Sequence, residues 1–323
     1  MVAATQSTQP QPVVPRDVRM TLKSICKGKQ QRPKRILLHG VDGVGKTTFA
    51  AGAPKPIFLG AEEGTNHLNV SRFPLPETLD DIFDALRTLT LEKHDFETLA
   101  IDTLDWMEPI VWKHVADHAK VASIEDVGGG FGKGYFAALD VWRRIINAIE
   151  HLQRERRMHV VALAHSFIKP FKNPEGDDYD RYVLKMNEKA ASQWREWCDG
   201  VYFANYETFA KKDTRTKRVR GVSTGLRLLH TERTAAFDAK DRYGLPTRLP
   251  LSWDEFSKAA DAGQPIDTAS LVAEIKKKAA ELGGEFETLT LEALTRFKDD
   301  ASMLGQLRNR LDVKLAERAD DAQ

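Results

Sequence analysis

Between residues 35 and 204 the apolar positions fall into short runs separated by longer amphipathic stretches. The runs are Arg35-Ile-Leu-Leu-His-Gly40, Pro56-Ile-Phe-Leu-Gly60, Thr98-Leu-Ala-Ile-Asp102, His159-Val-Val-Ala-Leu-Ala-His165 and Val201-Tyr-Phe-Ala204. They are short and almost uniformly apolar, which predicts strands buried on both faces. Between them, Leu79–Leu91 sets Ile82, Leu86 and Leu89 on one helical face, and Tyr135–Arg154 does so with Leu139, Trp142, Ile146 and Ile149. Further helices are expected at Lys46–Ala53, where Pro54 and Pro56 stop the run, near Leu104–Lys120 and near Glu188–Cys198. Residues 121–134 are too glycine-rich for regular structure, and Ser166–Tyr182 reads as a polar loop before the short run Val183–Met186. Strands alternating with helices imply an α/β fold, a mainly parallel sheet with helices on both faces.

The pattern changes on either side of this region. Glu207–Glu232 reads as a β-hairpin or meander whose tip is basic through Lys211, Lys212, Arg215, Lys217, Arg218 and Arg220. From Trp253 onward the chain is helical and charged, with Leu304, Leu307, Leu311 and Leu315 forming an apolar stripe. Residues 1–34 are rich in Gln, Pro, Thr and Ser and then turn basic, with Asp17 the one acid from Arg16 to Lys34. This reads as a flexible basic N-terminal arm, either a contact to nucleic acid or a neighbouring subunit or simply a solvated leader. The expected organisation is that arm (1–34), a core (35–253) and a small α-helical C-terminal region (254–323).

Composition narrows the class without naming it. The 323 residues suffice for one large α/β domain and a small accessory unit. A formal net charge of +1 gives no global nucleic-acid signal, so any basic surface must be local. Two cysteines, Cys26 and Cys198, are too few for a disulfide framework or a cysteine zinc site, which fits a reducing cytosol. No apolar run approaches the ~18 residues of a membrane span, and the N-terminus lacks the apolar core of a signal peptide. The expectation is a cytoplasmic protein with no membrane partner.

The sharpest chemistry lies in Gly40-Val41-Asp42-Gly43-Val44-Gly45-Lys46-Thr47-Thr48, which satisfies the phosphate-loop pattern G-x-x-x-x-G-K-[ST] between a strand and a helix. Glycines let backbone N–H groups curl into an anion nest, and the helix adds its positive end. Lys46 suits the β- and γ-phosphates of a nucleoside triphosphate, and the Thr47 hydroxyl suits Mg²⁺. Asp102 ends an apolar strand where a carboxylate can hold that ion through water, with Asp105 as the fallback. Glu62 and Glu63 follow the second strand, at the carboxyl end where α/β sites assemble, and either could activate water. His165 ends another buried strand, a place where a polar group can feel a γ-phosphate.

The order phosphate loop, strand-Ala61-Glu62, strand-Asp102-Thr103, strand-His165 resembles the RecA-type recombinase ATPase core. More narrowly it resembles the short phage RecA-like ATPases implicated in single-strand annealing. The shared elements are Phe58-x-x-Ala-Glu62-x-Gly64-Thr65, Phe131-Gly-Lys-Gly-Tyr135 and a late Lys-x-Arg-x-Gly. The resemblance covers about 35–250 and implies ATP and Mg²⁺, with Glu62 as the water-activating carboxylate. It implies His165 as γ-phosphate sensor, in a place where bacterial RecA has a glutamine. It implies DNA-binding loops at 121–134, with Lys133, and at 167–182, with Lys169, Lys172 and Arg181. Lys240-Asp-Arg242-Tyr-Gly244 is similar to the element that enters a neighbouring subunit's ATP site, the alternative being a basic turn.

The resulting expectation is an oligomeric ATPase that binds single-stranded DNA in recombination or annealing, as a ring or filament, with a single-strand-binding protein as a further partner. Two alternatives stay open. One is a RecA-like ring helicase or motor; the other is a nucleotide-gated replication accessory protein.

Overall fold

The computed structural model describes residues 25, 32–60, 64, 65, 67–212, 219–262 and 268–297, with single positions from 304 to 318. The apolar runs become strands for a plain reason. In β1 (Arg35–Gly40), Ile36 and Leu38 face one side of the sheet and Leu37 the other, and all three are fully buried. After α1 (Lys46–Ala51), the chain forms β2 (Pro56–Gly60), the two-residue β3 (Ser71–Arg72), α2 (Leu79–Leu91), β4 (Thr98–Asp102) and α3 (Leu104–Ala119). Then come α4 (Lys133–Arg156), β5 (His159–Phe171), β6 (Tyr179–Leu184), α5 (Glu188–Trp197), β7 (Gly200–Lys212), β8 (Val219–His230) and β9 (Arg248–Pro250). Three helices follow: α6 (Trp253–Ala262), α7 (Thr268–Leu282) and α8 (Gly284–Phe297).

Among the described residues the sheet has nine strands in the order β3-β2-β4-β5-β1-β7-β8-β9, with β6 paired to β5 off this path. Strands β3, β2, β4, β5, β1 and β7 run parallel, and β8 and β9 add an antiparallel edge. The fold is that of an α/β phosphate-loop NTPase. On one face, Leu37, Leu99, Val160 and Ala162 pack with the apolar sides of α2, α3, α4 and α5. Trp142 of α4 meets Trp194 of α5 edge-on, ring centroids 5.8 Å apart. On the other face, Ile36, Leu38, Val161 and Leu163 pack with Phe49 of α1 and with Trp253 and Phe256 of α6. The rings of Trp253 and Phe256 lie 5.5 and 5.8 Å from that of Phe49, so α6 is built into the core beneath α1. Ile275, Leu294, Leu304 and Leu311 form a small core of their own.

Two segments differ from expectation. Ser166–Tyr182 is not a polar loop: β5 continues to Phe171 and turns back as β6, pairing Phe167 with Val183, Lys169 with Arg181 and Phe171 with Tyr179. The Phe171 and Tyr179 rings, 5.2 Å apart, supply the cross-strand contact that the intervening charges conceal in the sequence. Residues Ile124–Gly129 form a short 3₁₀ segment, and α4 begins at Lys133. Residues 1–24 and 26–31 of the basic arm and the residues 213–218 of the meander tip lie outside the described residues. Among the described residues no helix is long and apolar enough to cross a membrane.

Candidate functional site

Strand order places the chemistry. β5 lies between β1 and β4, and its register sets His165 beside Gly40. Asp102 closes β4 opposite Gly60 of β2. Three parallel strands therefore deliver Gly40, His165 and Asp102 to one rim of the sheet, where the loop 41–45 opens into α1. Gly40 is required by packing, since a Cβ there would stand 2.2 Å from the carbonyl oxygen of Ala204 on β7. Gly45 is required by conformation, with φ at 106° as it enters α1. Lys46 is buried and folds back over the loop, its Nζ donating to the carbonyls of Val41 (3.1 Å) and Gly40 (3.3 Å).

Asp102 is the most telling side chain. It is 1% exposed, yet among the described residues neither carboxylate oxygen has a hydrogen-bond partner. A buried carboxylate without a donor is costly and calls for a cation or water. Burial pushes its pKa up, while the Thr47 hydroxyl, close without closing a hydrogen bond, and the charges of Lys46 and His165 pull it down. Thr47 and Asp102 thus offer a hydroxyl and an unpaired carboxylate at the place where a phosphate-bound Mg²⁺ would need them. Among the described residues no group of three or more His, Cys, Asp or Glu could hold a metal without a ligand's help.

Asp105, on the first turn of α3, accepts the backbone N–H of His165 and pairs with its Nδ1, each at 2.9 Å. Burial works to raise the Asp105 pKa, but these two hydrogen bonds outweigh it and hold the carboxyl below its usual range. The Nε2 of His165 points toward Asp42 of the phosphate loop, 3.7 Å away. His39, fully buried on β1, is held between Ser166 Oγ (2.9 Å) and the Asp238 carbonyl (3.0 Å), and burial lowers its pKa to about 4.

On the other flank of the loop stand two residues that the sequence reading passed over. The Tyr206 hydroxyl of β7 donates to the Gly43 carbonyl at 2.9 Å. Arg227 of β8 lies over the Tyr206 ring, and its Nη1 is 3.0 Å from where a Cβ on Gly45 would be. One cation among many in a basic meander carried no distinguishing signal; only the β7–β8 pairing brings it to the loop.

The remaining expected residues are scattered. Glu62 and Glu63 lie outside the described residues. Lys240 and Arg242 sit at the far ends of the strands: Val201, which bridges to Lys240, pairs with Leu37, about 10 Å along β1 from Gly40. Lys240 donates to the Arg195 and Glu196 carbonyls at the end of α5, and Arg242 pairs with Asp199 at 2.9 Å. Neither can reach the phosphate loop of its own chain. Lys133 donates to the Gly128 carbonyl at 2.9 Å, and Lys169 stands 3.7 Å from Glu188 on the hairpin, whose turn carries exposed Lys172. Arg181 is not on a loop surface; it is 5% exposed, against Phe171 and paired with Asp238, which also holds Arg195 and Arg233.

The family model for the AAA domain matches residues 32–243. The chain belongs to that family. The matched span of the AAA domain runs from β1 through the Lys240–Arg242 turn, so the phosphate loop, Asp102 and His165 all lie inside it. Membership implies nucleotide binding. The chain is also similar to the SPbeta prophage-derived uncharacterized protein YorG of Bacillus subtilis (strain 168), 23% identical over 177 residues, or 48% of this chain. It spans 55% of that relative's length. Among solved structures, that of the RadB recombinase aligns with 62% of this chain and 82% of its own at 14% identity, with a TM-score of 0.36.

Proposed function

We propose that this AAA domain hydrolyses ATP with Mg²⁺ and couples hydrolysis to single-stranded DNA binding in recombination or annealing, as a homo-oligomer. The observation that carries the hydrolytic part is the buried Asp102 carboxylate, which has no donor among the described residues and lies one strand away from His165 and beside Thr47. In this reading Gly40–Thr48 cradle the phosphates and Lys46 leaves its loop carbonyls for the β- and γ-phosphates. Thr47 and Asp102 would hold a magnesium ion, which would supply positive charge to the phosphates. Asp105 fixes the His165 ring so that Nε2 faces the loop, where it responds to the terminal phosphate. Glu62 orients the attacking water.

The DNA-binding part rests on position. Lys133 follows the segment that begins just beyond α3, Lys169 lies on the outer half of β5 and Lys172 just past its end; α3 and β5 are the elements that carry Asp105 and His165. Arg181 acts there as the anchor of the hairpin, not as a phosphate contact. Lys240 and Arg242 serve a neighbour's site, leaving Arg195, Glu196 and Asp199 when subunits meet. The similarity to prophage-derived YorG supports a phage setting, and in this reading the protein acts in the host cytoplasm. The test is ATP hydrolysis with and without single-stranded DNA, together with imaging of the protein on that DNA with a non-hydrolysable ATP analogue. DNA-stimulated turnover abolished by Lys46→Ala, with ordered assemblies on DNA, is expected; hydrolysis by a strict monomer indifferent to DNA would refute the reading.

A further inference from the structure

The Asp102–His165 side accounts for only half of the rim around the phosphate loop. β1 separates that side from β7 and β8, and on this second flank two polar side chains converge on the loop itself. Tyr206 reaches across to the Gly43 carbonyl at 2.9 Å, a contact between residues 163 positions apart. Arg227 brings its guanidinium to within 3.0 Å of the point where a Cβ would project from Gly45, the residue that opens α1. Its Cζ lies 5.9 Å from the Tyr206 ring centroid, so the two side chains form one unit. Among the described residues no carboxylate lies within ion-pair distance of Arg227, and its side chain is exposed beside the loop. Arg248 of β9, by contrast, stands 3.9 Å from Glu207.

We propose that Arg227 is a phosphate-chain contact supplied in cis, and that Tyr206 is a positioning residue that holds the crown of the loop against it. The inference rests on the nucleotide reading given above and deepens it. A polyphosphate in the loop nest bonds the backbone N–H groups around Gly45 and Lys46. A guanidinium already stationed against Gly45 needs only a side-chain swing to meet its oxygens, and its planar fork suits them. The phosphate chain would then meet two cations, Lys46 of the loop itself and Arg227 from the β8 side. The absence of a Cβ at Gly45 is what lets Arg227 approach this closely.

The test compares the full chain with Arg227→Ala, Arg227→Lys and Tyr206→Phe, using a fluorescent ATP analogue and displacement by inorganic tripolyphosphate. Arg227 is exposed, so folding of the variants is checked by thermal unfolding against wild type. Arg227→Ala should weaken ATP and tripolyphosphate alike by about tenfold, with partial recovery in Arg227→Lys. Tyr206→Phe should weaken both less, because it removes a loop contact and no ligand contact. Unchanged tripolyphosphate binding in Arg227→Ala, whether ATP binding falls or not, overturns the proposal, since a base or ribose contact would leave tripolyphosphate untouched. A wild-type chain that binds neither probe, or binds both equally well after Lys46→Ala, would instead refute the nucleotide reading itself.

Discussion

Asp105 holds His165 by two atoms at once, taking the backbone N–H and Nδ1 each at 2.9 Å. The two residues are 60 positions apart, and the carboxylate that joins them is almost wholly enclosed, its side chain 3% exposed. Asn at position 105 can accept only one of these bonds and must turn a donor toward the other. Asp105→Asn should therefore slow ATP turnover by about ten- to a hundredfold while leaving nucleotide affinity near wild type. Steady-state turnover set against equilibrium binding of an ATP analogue separates the two. The same bonds depress the Asp105 pKa, so their contribution to stability is present above pH ~4 and is lost as pH falls through the folded value.

Glu108, one turn further along α3, is nearly buried and accepts the Asn187 backbone N–H at the start of α5. Burial raises its pKa to about 7, the Asn187 bond opposing and the Asp105 charge assisting. The folded state then binds a proton that the unfolded state releases, so this residue destabilises the fold progressively as pH rises from about 4.5 to 7. His39, held neutral with a pKa near 4, acts in the opposite sense over a similar range. The difference between wild type and Glu108→Gln isolates the first effect. The melting temperature of the variant should gain on wild type as pH rises toward 7 and level off above it.

Trp253 fills the space beneath the phosphate-loop helix, against Phe49 and Phe256 and with its Cβ 3.0 Å from where a Cβ on Gly52 would lie. Trp253→Ala should cost about 3–5 kcal/mol in denaturant unfolding. It should also weaken nucleotide binding, because α1 loses its backing. Truncation before residue 253 should act in the same direction, whatever the remaining C-terminal helices do.

The hairpin cations should divide cleanly. Lys172→Ala should leave stability unchanged, weaken single-stranded DNA binding, and reduce the slope of log affinity against log salt by about 0.7. Arg181→Ala removes the buried partner of Asp238 and should cost about 3 kcal/mol of stability. Thermal unfolding and salt-dependent DNA titration of both variants check the pair.

These predictions draw on features of very different legibility. The strands were readable because burial on both faces writes itself as unbroken apolar runs, as at Ile36–Leu38 and Val160–Ala164. The phosphate loop was readable because glycines at fixed spacing have few other uses. The hairpin Ser166–Tyr182 was not: Lys169, Pro170 and Asp180 interrupt the alternation, and the pairing that overrides them is seen only in register. Asp105 could be placed near the site but not joined to His165, because that union depends on α3 starting at the end of β4 while β5 lies alongside. Arg227 was invisible among the meander cations. Arg181 misled for the opposite reason, since a cation flanked by Asp180 and Tyr182 looks solvated until Asp238 arrives from 57 residues away.

The length of β5 has a mechanical consequence. The strand runs 13 residues without a break, and the six steps from His165 to Phe171 span about 20 Å. Sheet pairing to β1 and β4 grips its first half, and β6 stiffens the second. The strand is continuous across the two. The hairpin tip and His165 are therefore joined by continuous, paired backbone, with His165 at the point where the pairing partner changes from β1 to β6.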